Sequence, residues 1–138
     1  MKIDLEFVSN PTNISYVEKL LQQVTKRVRI NDETYANMHI ALTEAVNNAM
    51  LHGNRCDQSK IVKIETYIDT PTGTVEFEVS DEGTGFDDSL VPDPTLPENI
   101  AQPGGRGVFL MQQLCDRLRY VNKGRTARLT FNKQSTNH

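Results

Sequence analysis

Cationic charge, cysteine and long apolar runs are all scarce in this chain, and each scarcity removes a class of function. Lysine and arginine number 15 against 18 acids, for a formal net charge of -3 and a pI near 5.6. An extended phosphate backbone would meet no overall positive field, so direct nucleic-acid binding is not expected. The two cysteines, Cys56 and Cys115, lie far apart without a second Cys or His at ligand spacing, and read as reduced thiols. No stretch is long and apolar enough to span a bilayer, and the acids of Met1-Lys2-Ile3-Asp4-Leu5-Glu6 stand where a secretory signal would need an apolar run. Both absences point to the cytoplasm and away from a membrane. Repeats and low-complexity tracts are missing as well. What remains is 138 residues with 37% hydrophobic and 24% charged side chains, the composition of one globular domain over residues 1–138.

The apolar pattern switches between two periods along the chain. Ile3, Leu5 and Phe7 alternate as in a half-buried strand. Asn10-Pro11-Thr12-Asn13 supplies turn and N-cap residues, after which Ile14, Val17, Leu20, Leu21, Val24 and Val28 recur at helical spacing in a helix running to about Arg29. That stripe fits a core face, with a homodimer or partner surface as the alternative. Asn31-Asp32 offers a second N-cap, and Tyr35, Met38, Leu42, Ala45, Val46 and Ala49 form the apolar side of a helix that stops near Gly53. Val62, Ile64, Thr66 and Ile68, then Val75, Phe77 and Val79, alternate around Pro71-Thr72-Gly73 and read as a β-hairpin. From Asp87 to Pro103 prolines and acids break every period, which predicts a mobile loop. Val108, Met111, Leu114, Cys115 and Leu118 make a third amphipathic helix, and a last hairpin turns at Asn122-Lys123-Gly124 before Ala127, Leu129 and Phe131. The expected fold is an α/β (α+β) sandwich, with helices packed on one face of a mostly antiparallel mixed sheet.

Three short motifs carry candidate chemistry. Glu44 and Asn48 lie four residues apart on the second helix and share a face with Ile40 and Leu51, roughly opposite Leu42 and Val46. An amide oxygen is a hard ligand suited to Mg²⁺, and a nearby carboxylate can take a proton from a nucleophile. The pair alone also fits a solvated helix face. His52, near the end of that helix, fits a capping role. Asp81-Glu82-Gly83-Thr84-Gly85 follows a strand as an acid-led glycine turn, where the backbone can pass close to a flat ligand and a carboxylate can accept from an amine such as adenine N6. A plain β-turn is the alternative, and the spacing lacks the ligand pattern of a calcium loop. Gly104-Gly105-Arg106-Gly107 leads into the third helix, whose free amides favour a phosphate. A flexible linker would look the same. Neither a Walker loop nor a Rossmann fingerprint fits, since Gly-Lys-Ser/Thr is absent and no strand precedes these glycines.

In their order and separation the motifs resemble the N, G1 and G2 boxes of the Bergerat ATPases: Glu44-Ala45-Val46-Asn47-Asn48-Ala49 through His52-Gly53, Asp81 to Gly85, and Gly104 to Gly107. The resemblance spans nearly the whole chain and implies ATP and Mg²⁺ as cofactors. It makes Glu44 the general base, Asn48 the Mg²⁺ ligand and Asp81 the contact to adenine. Gly83 and Gly85 would shape the pocket, Gly104, Gly105, Arg106 and Gly107 would lie near the phosphates, and Thr126 would assist Asp81. Residues 87–103 would be the ATP lid. There is no room for the dimerisation hairpin of a histidine kinase or the transducer domain of a gyrase, so the chain looks like the stand-alone anti-sigma-factor serine/threonine kinases. Members of that family hold a sigma factor and phosphorylate a serine on an antagonist of the anti-anti-sigma type. Some place an arginine just before the G2 glycines, where this chain has Gln102-Pro103; Arg106 would then act from inside the box. The alternative function is a catalytically silent, ATP-sensing module that captures a regulatory protein.

Overall fold

A computed structural model describes residues 1–83, 105–122 and 124–132. Five strands form one sheet: β1 (Lys2–Val8), β2 (Ile61–Asp69), β3 (Thr74–Ser80), β4 (Arg117–Val121) and β5 (Thr126–Phe131), in the order β1-β2-β3-β5-β4. Every pairing among them is antiparallel. Alternation sends Phe7, Val62, Ile64, Ile68, Val75, Phe77, Val79, Leu129 and Phe131 to one face, where all are buried. The helices α1 (Ser15–Thr25), α2 (Asp32–Asn48) and α3 (Gly105–Leu114) supply the rest of the core, with α2 touching both other helices and also β3 and β5. Phe77 and Phe131 meet edge to face at 6.0 Å between centroids. Thr66 also points into this core, and its fully buried hydroxyl has no hydrogen-bond partner among the described residues.

The first helix differs from its expected span. Asn10 caps a 3-10 turn at Pro11–Ile14, its side chain accepting from Thr12 N at 3.0 Å, and α1 proper ends at Thr25. Beyond Val24 the face carries Lys26, Arg27 and Arg29, so burial no longer rewards continued winding; Arg27 N turns back to Val24 O at 3.0 Å. The stripe Val17, Leu20, Leu21 and Val24 is buried in the protein's own core, so it is not a free homodimer surface. Leu118 also departs from expectation, lying in β4 opposite Leu129. Its spacing from Leu114 imitates a helix, but the alternation of Arg117, Leu118, Arg119 and Tyr120 satisfies a strand with one solvated face, and α3 stops at Leu114.

The outer face of the sheet is polar. One row across the strands reads Asp4, Glu65, Glu78, Arg128 and Arg119 by register. Lys2 neutralises Glu65 at 2.8 Å and Arg128 neutralises Glu78 at 2.9 Å, contacts that solvent screens at such exposure. No helix among the described residues is long and apolar enough to cross a membrane.

Candidate functional site

The site is organised by α2. Asn31 caps its start, accepting from Thr34 N at 2.8 Å, and Met38, Ala41, Leu42, Ala45 and Val46 bury one side. That burial fixes the rotation of the helix, leaving Glu44 and Asn48 partly exposed on the flank towards α3, with Ile40 and Leu51 exposed beside them. Gly107, in the first turn of α3, comes directly against this pair. A methyl group there would stand 2.9 Å from Glu44 Oε2 and 3.3 Å from Asn48 Nδ2. The carboxylate, the amide and the amino-terminal end of a helix thus converge. Gly105, Arg106 and Gly107 are already helical and do not form a loop ahead of the helix.

Past Asn48 the helix widens into a π turn at Ala49–Gly53, with Asn54 N donating to Ala49 O at 2.8 Å. The sequence gives no sign of this change of pitch. Arg55 and Cys56 then take the left-handed conformation, with φ of 52° and 61°, which ends the helix at some conformational cost. The wide turn delivers Gly53 to the Asp81 carboxylate: a methyl at Gly53 would land on that group, and a methyl at Gly83 would collide with the Gly53 carbonyl. Glycine is required at both positions by this close approach.

Asp81 begins the turn after β3. Its amide donates to Arg125 O at 2.9 Å, tying it to β5, and its Oδ1 accepts from Gly83 N at 2.7 Å. Burial pushes its carboxyl above the ordinary value of 3.8, against the opposing pull of the Gly83 amide and of Arg125 and Lys60. A partly desolvated carboxylate is suited to a neutral donor such as an amine. Thr126 is buried beside it, paired in register with Ser80, and its hydroxyl lies 2.8 Å from Ser80 Oγ and 3.0 Å from Asn122 Nδ2. One continuous helical segment from Glu44 to Gly53 joins the carboxylate-amide pair to the Asp81 turn.

The structure also brings forward Asn54, which motif reading passes over as an ordinary residue after a helix. It is fully buried and hydrogen-bonded at both ends of its amide. His52 is exposed in the last turn. Thr84, Gly85, Gly104 and the expected lid at 87–103 lie outside the described residues, as does the Arg106 side chain. Among the described residues no group of three or more His, Cys, Asp or Glu side chains converges as a metal site. An amide oxygen such as that of Asn48 is a hard donor, of the kind Mg²⁺ accepts beside waters and phosphates.

Known proteins match most of the length of this chain. An anti-sigma F factor of Clostridium botulinum (strain Alaska E43 / Type E3) is 27% identical over 121 residues, covering 85% of this chain and 82% of that protein. An anti-sigma F factor of Clostridium perfringens (strain SM101 / Type A) is 26% identical over 138 residues, covering 96% of each. Serine-protein kinase RsbW of Listeria innocua is 26% identical over 130 residues, covering 89% of this chain and 82% of the kinase. The histidine kinase-like ATPase domain matches residues 7–131, which takes in the whole of α2, the Asp81 turn and the start of α3, and the chain belongs to that family.

Proposed function

We propose that the protein is a cytoplasmic, ATP-dependent anti-sigma factor and serine/threonine kinase, which binds a sigma factor and phosphorylates a serine of an anti-anti-sigma antagonist. The observation that carries this reading is the approach of Gly107 to Glu44 and Asn48, which joins a base, a hard amide ligand and a helix amino terminus in one place. The names of the relatives support a sigma factor as partner and serine as the residue phosphorylated.

In this reading Asp81 accepts from the adenine amine, with Thr126 supporting the strand end that carries it. Gly83 and Gly85 keep the pocket walls thin, and Gly104, Gly105, Arg106 and Gly107 face the phosphates. Asn48 would hold Mg²⁺. Bound ATP-Mg²⁺ supplies the transferable phosphoryl group and the cation that offsets its charge. Glu44 accepts the proton of the antagonist's serine hydroxyl, so that its oxygen can attack.

The test is Glu44→Gln, which keeps shape and polarity but removes the base. Nucleotide affinity should be unchanged, while phosphotransfer to the antagonist falls by about 10²- to 10⁴-fold. Wild-type protein that captures partners under ATP without transferring phosphate would instead identify a nucleotide-sensing module.

A further inference from the structure

Where β2 and β3 part company, the ladder is replaced by side chains. Their last backbone pair on this side is Lys63 with Ser80, and the same register would set Val62 opposite Asp81 and then Ile61 opposite Glu82. These two residues meet differently. Ile61 N donates to Glu82 Oε1 at 2.6 Å, Glu82 N donates to Asn54 Oδ1 at 2.8 Å, and Asn54 Nδ2 donates to Ile61 O at 2.9 Å. The result is a closed triangle in which each member gives one hydrogen bond and accepts one. It joins the end of the π turn, the first residue of β2 and the Asp81 turn. Asn54 is the wedge: its amide fills the place where β2 and β3 would have continued to pair, and it is 0% exposed.

The wedge makes the chain after Ser80 peel away from β2 towards the π turn. There Gly83 rests on the Gly53 carbonyl and the Asp81 carboxylate on Gly53. A side chain that only satisfied stray backbone groups could do so without drawing the end of the π turn into the same network. We infer that the Asn54–Ile61–Glu82 triangle is a positioning device that holds the Asp81 acceptor in place and thereby sets selectivity for a 6-amino over a 6-oxo purine. The inference rests on the assignment of Asp81 to the base. A fixed carboxylate accepts from a 6-amino group and repels a 6-oxo group, whereas a carboxylate free to swing aside admits water and tolerates either.

The experiment is calorimetric titration of the full chain with ADP-Mg²⁺ and GDP-Mg²⁺, for wild type, Glu82→Ala and Glu82→Gln. Glu82 is exposed, so these variants keep the core intact, and a thermal melt checks it. Wild type should prefer ADP by about 100-fold, the scale of one hydrogen bond to a charged group. Glu82→Ala should lower that preference about tenfold, and Glu82→Gln should restore it, because an amide oxygen still accepts from Ile61 N. Asn54→Asp should lose the most, since its carboxylate faces the Ile61 carbonyl. A wild-type ratio in Glu82→Ala, or an equal loss in Glu82→Gln, overturns the positioning role. Wild type that binds neither nucleotide overturns the assignment of Asp81 itself, a separate outcome visible before any variant is compared.

Discussion

A single methyl group at Gly107 should separate stability from activity. Gly107 is the third residue of α3 and does not have positive φ, so alanine can adopt its backbone. In a helix that exchange is favourable by about 0.5–1 kcal/mol. Against it stands the new Cβ, 2.9 Å from Glu44 Oε2 and 3.3 Å from Asn48 Nδ2, where ordinary contact begins at 3.4 Å. Both neighbours are ends of flexible side chains on a partly exposed flank, so they can yield by leaving their rotamers at a cost of about 0.5–1.5 kcal/mol. The two terms nearly cancel. Melting of Gly107→Ala should stay within about 4 °C of wild type. The yielding group, however, is the proposed base, and displacement on the scale of 1 Å costs about 10²-fold in rate. Single-turnover phosphotransfer at saturating ATP-Mg²⁺, read beside a thermal melt, checks both halves. Transfer within twofold of wild type would refute the reasoning, as would a loss of more than about 3 kcal/mol in stability.

Asp81→Asn should weaken ATP binding about ten- to a hundredfold, by loss of a charge-assisted hydrogen bond, yet stabilise the free protein at neutral pH. Because burial raises its pKa, the folded state binds the Asp81 proton more tightly than the unfolded state does, so stability falls as pH rises from 3.8 through the raised value. The melting advantage of the asparagine variant should therefore shrink on acidification through that window; an advantage independent of pH would contradict the cause. Thr66→Val, which removes a buried hydroxyl without a partner among the described residues, should raise stability by about 1 kcal/mol, seen as a higher urea midpoint at unchanged slope. Burial pushes the Cys115 thiol up to about 11, and it donates to Met111 O at 2.8 Å, whereas Cys56 is exposed. Alkylation at pH 8 should modify Cys56 alone until denaturant is added, and equal rates at the two thiols would show that α3 does not shield Cys115.

The strands and the buried side of α2 are legible because their periods are strong and uninterrupted. The two misreadings arise where local and tertiary signals compete. Leu118 fits a helix by distance from Leu114 and a strand by alternation with Tyr120, and pairing with Leu129 decides it. Val28 continues the stripe of α1 although the helix has ended, since a turn can also lay an apolar residue against the core. In the site, Glu44, Asn48 and Gly107 were legible as separate motifs. Their contact depends on how α3 crosses α2, a tertiary fact. The role of Asn54 was hidden for a similar reason: its partners, Ile61 and Glu82, belong to other segments, and an asparagine after a helix is ordinary in any sequence.

The order of strands places β5 between β3 and β4, so the last part of the chain inserts itself against the first part. Glu44, Asn48 and Asp81 belong to the early stretch, Gly107 and Thr126 to the late one. A chain cut anywhere in residues 84–104 would yield two fragments, each with half of the site and one side of the β3–β5 seam. If the proposed function holds, a nucleotide reaching from Asp81 to Gly107 would touch both fragments and favour their reassembly.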